Sequence, residues 1–436
     1  MSKMKMMSAR DKKKDYLVPR LRFPEFRDTG EWGKVQLSKI AIPVSERATD
    51  GDADAVLTLS AEHGVVTQGS YFGKKIAGDD VTRYIKIKNN DFVYNDRTTK
   101  FYKYGTIKRL SRHTYGIVSP IYKCFRFNDE EIPVFWEWYF ESGEHDTQLH
   151  NIVNEGAKAG RFNISIQKFL SIFVYFPDKS EQQRIADCLS SLDERIAAET
   201  NKLDTLKDHK KGLLKQLFPA EGETLPQLRF PEFGNSGKWQ KIALGDICDI
   251  IPGYTFPECL QGKIHGLYPF CKVSDISKAV SEHGGLLDRA LNYVGDDELS
   301  ILKAKPLPVG TTVFAKIGEA LRLNRRAITT VECLIDNNAV GIKAKSKKST
   351  DYFLYTLSQL IDLSEYCGGA VPAVNKTVLE NISVVIPTSY EQQRIADCLS
   401  SLDELIASQT QKIDLLKDHK KGLMQQLFPC IDEVRA

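Results

Sequence analysis

No apolar run in the 436 residues approaches the roughly eighteen that a membrane-spanning helix needs. The start, MSKMKMMSARDKKKDY, has no signal-peptide apolar stretch, so residues 1–20 read as a basic tail and the chain is expected to be soluble and cytoplasmic. Nine cysteines form an odd set without C-x-x-C or paired Cys/His spacing, which leaves neither a disulfide framework nor a zinc site. They read as ordinary small buried residues. Catalytic signatures are missing too. There is no G-x-x-x-x-G-K-[ST], no G-x-G-x-x-G after a strand, no H-E-x-x-H, no G-x-S-x-G, and no NPP-plus-aromatic signature of amino-methyltransferases. No residue is therefore assigned a catalytic or metal-binding role, and no cofactor is expected on this chain.

What is present is a repeat. EQQRIADCLSSLDE runs from Glu181 to Glu194 and again from Glu391 to Glu404, and over Glu181 to Pro219 against Glu391 to Pro429 only eight positions differ. A second match, LRFPEF, occurs at Leu21 to Phe26 and at Leu228 to Phe233, each followed by a tryptophan, Trp32 and Trp239. Each half thus has an opening motif, a long variable body and a shared tail. The kept parts read as scaffold and the diverged parts as recognition.

In the tails, Ile185, Leu189, Leu192, Ile196, Leu203, Leu206, Leu213 and Leu217 fall on alternating steps of four and three, with Glu199 and Lys210 in the remaining seam positions. The second copy gives Ile395, Leu399, Leu402, Ile406, Ile413, Leu416, Leu423 and Leu427, with Gln409 and Lys420. This spacing predicts a coiled-coil helix in each tail. Ser180 with Gln183 and Ser389 with Gln392 offer capping boxes, and Pro219 and Pro429 are stops. A bare apolar stripe needs a partner. The nearest is the other copy, in an antiparallel pair related by a pseudo-twofold axis; pairing with a second chain is the alternative. At about 1.5 Å per residue such a helix spans roughly 55 Å.

The net charge of +3 is unevenly placed. From Lys74 to Arg112 there are eleven Lys/Arg against four Asp/Glu, and from Lys303 to Lys348 ten against three. In the first body the charges are interleaved with Tyr84, Phe92, Tyr94, Phe101, Tyr102 and Tyr104. Lysine and arginine can meet phosphates, and asparagine and arginine can reach base edges. The candidate DNA-binding residues are Lys74, Lys75, Arg83, Lys86, Asn95, Arg97, Lys100 and Lys103, and in the second body Lys316, Arg322, Asn324, Arg325 and Arg326. Arg322, Arg325 and Arg326 would share a face if their stretch is helical. The competing reading is an ordinary solvated surface. Both bodies look mixed α/β, with strands over 81–87, 92–94 and 121–127 and one helix each over 133–152 and 351–366. Phe135, Trp136, Trp138, Tyr139 and Phe140 read as core. His209 and His419 recur within the copied tail and read as surface or partner-contact residues.

Two diverged bodies alternating with two near-identical helical tails, EQQRIA at each helix start and L-x-FPEF at each body's opening, resemble the specificity subunit of type I restriction-modification systems. The most specific parts are the tails Pro177 to Phe218 and Pro387 to Phe428, and the closing motifs Gly160-Arg161-Phe162-Asn163 and Gly369-Ala370-Val371-Pro372. The resemblance covers essentially the whole chain. It implies target recognition domains over 21–177 and 220–387, a central conserved helix over 178–219, and a C-terminal helix and tail over 388–436. Each domain would read one half of a bipartite, asymmetric site in double-stranded DNA. The helices would set the spacer and dock two modification (methyltransferase) subunits, with restriction (ATP-dependent translocase and endonuclease) subunits as further partners. S-adenosylmethionine, ATP and Mg are expected on those partners. Half-sites about one helical turn, roughly 10 bp, apart are expected. Lengthening a helix by one heptad should lengthen the spacer. Two alternatives remain: a specificity subunit whose partner fuses cleavage and methylation, and a coiled-coil scaffold that does not touch DNA.

Overall fold

The computed structural model describes residues 17–74, 76, 78, 80–99, 102–152, 162–367 and 371–429. Lys75, Lys100, Phe101, Gly160, Arg161, Gly369 and Ala370 lie outside them, as do 1–16 and 430–436. The fold is mixed α+β, and the chain divides into two compact units. One runs to Ala197 and resumes at Leu415; the other is Ala198–Asp414. Each unit therefore contains one body and a segment of each tail helix.

In the first unit Gly33–Gln36 pairs antiparallel with Phe173–Phe176, so the body's beginning and end are joined. Between them an antiparallel sheet runs in the order Ala41–Pro43, Lys123–Phe127, Phe92–Asn95, Thr106–Arg109. The second unit repeats this. Gln240–Ala243 pairs with Ser383–Ile386, and the sheet runs Cys248–Pro252, Ala339–Ala344, Thr312–Ala315, Ala327–Thr329, with Leu286–Leu287 added in parallel at the edge. Bodies with little letter-by-letter resemblance thus share one sheet order. A pleated sheet asks only for apolar residues on its buried face, so many sequences satisfy it.

The expected core aromatics are core: Phe135, Trp136, Trp138, Tyr139 and Phe140 are all buried, with Trp136 stacked on Phe127 at 4.8 Å between ring centroids. The single helix expected over 133–152 is two, Pro133–Ser142 and Asp146–Ile152. Gly143 at φ 83 ends the first, because the left-handed conformation it adopts cannot continue a helix. The stretch 351–366 likewise divides into a helix Asp351–Gln359 and a 3-10 turn Leu363–Tyr366. The expected strand over 81–87 begins only at Ile85. Of the eight described cysteines, all free, Cys259 is exposed rather than buried. Among the described residues no helix is long and apolar enough to cross a membrane.

The tails form helices Lys179–Leu217 and Ser389–Leu427, 39 residues each. Every seam residue predicted from the spacing is buried or half-buried. Segments of the two helices run antiparallel inside each unit. In the first, Ile185, Ala186 and Leu189 pack in one cluster with Leu423, Met424, Leu427 and Phe428, and Lys420 bonds Asp193. In the second, Lys210 Nζ lies 2.5 Å from Asp403 Oδ1, the same pair of repeat positions exchanged. There Gln409, the polar seam residue, donates to the Glu199 carboxylate at 2.7 Å. The expected capping boxes do not form. Asp178 caps the first helix, its Oδ1 accepting from Ser180 Oγ at 2.6 Å and from Glu181 N at 2.9 Å. Gln182 and Gln392 instead reach back to the carbonyls of Pro177 and Pro387.

The opening motif is the clamp between body and helices. Arg22 donates from Nε and Nη2 to the two oxygens of Glu181 at 2.8 and 2.6 Å, and Leu21 N donates to Gln426 O. Arg229 grips Glu391 in the same way at 2.8 and 2.8 Å, and Leu228 N donates to Gln216 O. Trp32 meets Phe428 edge-on and Trp239 meets Phe218 edge-on, both at 6.0 Å. The copied letters are those that dock a body on a helix start and a helix end.

One buried group makes the first unit sensitive to acid. His145 is enclosed beside Phe140, and burial pushes its imidazole down to about 3. Its folded value lies below the unfolded one near 6.5, so the unfolded chain binds the extra proton as pH falls through that window. Stability is therefore lost below about pH 6.5. Asp146, raised to about 6 by burial, acts in the opposite sense between about pH 4 and 6 and offsets part of the loss. The His145→Gln variant is expected to lose the histidine's contribution, so that its melting temperature relative to the parent rises as pH falls from about 6.5 to 4. A difference between variant and parent that does not change with pH would rule this account out.

Candidate nucleic-acid interface

One loop of each basic stretch occupies the same topological position. Residues 96–105 join Phe92–Asn95 to Thr106–Arg109, and residues 316–326 join Thr312–Ala315 to Ala327–Thr329. These are the same two strands of the shared sheet. The closing segment of each body is bonded to the start of its loop. Phe162 N donates to Asp96 O at 3.2 Å and Ile164 N to Asp96 Oδ2 at 3.2 Å. In the second body Gly318 N donates to Pro372 O at 2.8 Å and Val374 N to Lys316 O at 2.9 Å. Ile164 and Val374 are 210 residues apart, the offset of the tails.

The first loop stands on a rigid base. Asp96 is fully buried and receives Lys123 Nζ at 2.6 Å, and Tyr94 donates its hydroxyl to Tyr104 O at 2.7 Å. Gly105 takes φ 98, and a Cβ there would come within 2.4 Å of Asn95 O and 2.7 Å of the Tyr94 ring. Gly105→Ala is expected to cost about 1–3 kcal/mol from the left-handed conformation alone and to displace the loop. Thermal denaturation together with DNA affinity checks this, and a variant unchanged in both would refute it. Above this base Arg97 and Lys103 are exposed. Lys103 Nζ sits 5.3 Å from the centre of the Tyr104 ring. Asn95 is half-buried and its Oδ1 accepts from Arg97 N at 3.3 Å, so part of its side chain shapes the turn. Phe92, Tyr94 and Tyr104 are buried and belong to the core, not to a stacking surface.

The remaining first-body candidates lie on the segment inserted between Ala41–Pro43 and Phe92–Asn95. Lys74 and Arg83 are exposed, while Lys86 is half-buried and donates to Asp52 Oδ1 at 2.8 Å. That bond, with those from Thr49, holds the Asp52 carboxyl down at about 2.

The second loop differs from expectation. The helix there is only Glu319–Arg322, and Asn324 at φ 49 breaks its continuation, so Arg322, Arg325 and Arg326 do not share a helical face. Arg322 is exposed and pairs with Glu319 at 3.3 Å; Lys316 and Arg325 are half-buried. Arg326 turns inward. It is 4% exposed, lies 4.5 Å from the centre of the Phe314 ring, and donates to Asn324 Oδ1 at 2.7 Å and Ile361 O at 3.2 Å. Burial lowers its guanidinium to about 10, still charged at neutral pH. Asn324 also donates to Gln359 O at 3.4 Å, so Arg326 and Asn324 brace the loop from inside. Asp96, an acid inside the basic stretch, and Lys123, a lysine outside it, fix the first loop and are not singled out by the sequence; the closing motif and its repeat offset are the available pointer.

The type I restriction modification DNA specificity domain family matches residues 84–208 and 236–418. The chain belongs to that family. It is 27% identical over 264 residues to a putative type I restriction enzyme MjaX specificity subunit of Methanocaldococcus jannaschii, covering 58% of this chain and 57% of the relative. It is 24% identical over 220 residues to the MjaVIII specificity subunit of the same organism, covering 50% and 47%. The matches thus span about half the length of these curated relatives. The fold superposes on the S subunit of a type I restriction-modification system from M. genitalium with TM-score 0.56 and 14% identity, over 95% of this chain and 99% of that one. A chain from a structure concerning complex assembly and conformational transition of a type I restriction-modification system gives TM-score 0.55 at 19% identity, over 91% and 97%.

Proposed function

We propose that the chain is the DNA-recognition subunit of a type I restriction-modification complex, with each body reading one half of a bipartite, asymmetric site. The observation that carries this is the shared place of the two loops. One sheet order presents a different loop in each body, held by a closing segment at the equivalent position, which suits two readers of unlike sequences. The chain itself is not the catalyst in this reading. Methyl transfer, with S-adenosylmethionine, falls to two modification subunits docked on the copied helices, and ATP-driven cleavage, with Mg, falls to restriction subunits. The copied surfaces favour two equal docking sites, and the helices set the gap between half-sites.

DNA affinity of the complex with its modification subunits, measured against salt, tests the reading. Phosphate contacts release counterions, so the logarithm of affinity should fall steeply and linearly with the logarithm of salt. Absence of binding, or binding indifferent to salt, would favour a scaffold that does not touch DNA.

A further inference from the structure

At one seam position the repeat meets itself. Glu199 and Gln409 stand 210 residues apart, the repeat offset, and they are in contact: Gln409 Nε2 donates to Glu199 Oε2 at 2.7 Å and to Glu199 O at 2.9 Å. In an antiparallel pair of copied helices, a residue that touches its own counterpart lies on the local twofold axis of that pair. Lys412 adds an ion pair to the same carboxylate. The contact is shielded, with Gln409 6% and the Glu199 side chain 16% exposed.

Away from that axis a residue meets a different position of the repeat, so identical copies can still be complementary, as Lys210 is to Asp403 and Lys420 to Asp193. On the axis identical copies must suit themselves, and there the letters differ. Of the ten seam positions, eight carry the same residue in both copies, and Leu203 against Ile413 keeps an apolar one; only Glu199 against Gln409 changes charge. Two copies of the helix Lys179–Leu217 paired with each other would press two Glu199 carboxylates together where little water reaches, and like charges disfavour such a contact. One polar seam residue is enough to specify which helices pair.

We propose that Glu199 and Gln409 select the pairing of the tails: the helix Lys179–Leu217 accepts Ser389–Leu427 and refuses a second copy of itself. Each helix follows its own body in the sequence, so refusal of self-pairing keeps two unlike bodies in one assembly. The proposal does not depend on what those bodies read.

Exchange of helices between full-length chains provides the test. Gln409→Glu gives a chain with glutamate at both positions, and Glu199→Gln one with glutamine at both. Within the glutamate chain the helices repel at the axis, whereas across a mixed pair of chains each glutamate meets a glutamine. Co-expressed with different affinity tags, the glutamate chain should capture the glutamine chain several-fold more than it captures a second copy of itself, and the parent should capture little of its own copy. If Gln409→Glu alone fails to accumulate, its rescue by the co-expressed glutamine chain is the same result. The double variant, Glu199→Gln with Gln409→Glu, restores one residue of each kind, with Lys202, the repeat counterpart of Lys412, at hand for the moved carboxylate. It should melt close to the parent, while Gln409→Glu melts several degrees lower. Capture or rescue by the glutamine chain no greater than by a second glutamate chain, or a double variant as unstable as Gln409→Glu, would overturn the proposal.

Discussion

Replacing Arg22 with alanine is expected to cost the first unit about 3–5 kcal/mol, because it strands a buried carboxylate. Glu181 is 1% exposed and receives two charge-assisted hydrogen bonds from Arg22, whose guanidinium is raised above its ordinary value chiefly by that carboxylate. A third donor atom satisfies Gly30 O at 2.6 Å. Removing the arginine leaves a charge in a site that water does not reach, whereas removing both partners leaves only a packing change. Arg22→Met with Glu181→Met should therefore recover most of the loss. Denaturant unfolding of the three proteins checks this. A loss under about 1 kcal/mol for Arg22→Ala, as at an exposed ion pair, would show that the clamp does not hold the body. Arg229→Ala should do the same to the second unit, where Glu391 is equally buried.

Reversing two charges on the first loop, Arg97→Glu with Lys103→Glu, is expected to lower DNA affinity on the order of tenfold to a hundredfold at low salt, and each phosphate interaction removed should reduce the salt slope by about 0.9. Both side chains are exposed on a loop fixed from below by Asp96 and Lys123, so fold stability should change little. A uniform weakening on cognate and random duplexes would mark them as phosphate-binding, and a weakening confined to the cognate site would mark base reading. Arg326→Gln is the informative comparison. It should destabilise the second unit and leave the salt slope unaltered, since Arg326 faces the protein interior. Unchanged affinity and slope in the loop variant would remove that loop from the interface.

How far the sequence foretells these features depends on which residues are duplicated. Arg22, Glu181, Trp32 and Phe428 each have a copy, and the same interaction recurs between the copies, so the repetition by itself marks out the scaffold. The helix seams are legible for the same reason, with Leu189 and Leu399 both wholly buried. The shared sheet is not legible. Its strands pair across long separations, as Ala41 does with Phe127, and no local signal records such a pairing. Arg326 shows why basic stretches mislead: a guanidinium among carbonyls and an aromatic face can be an internal brace, and charge alone does not tell a brace from a DNA-facing group. Gly143, by contrast, is of the residue type that stops helices, although the aromatic run before it masks the break.

The most direct measurement is a map of methylated adenines in a host expressing the chain with its modification subunit. The account predicts one split motif, two unlike half-sites separated by a fixed gap, and the loss or change of one half alone when the corresponding body is exchanged. A complex that assembles and methylates without a split motif, or adds no methylation at all, would contradict it.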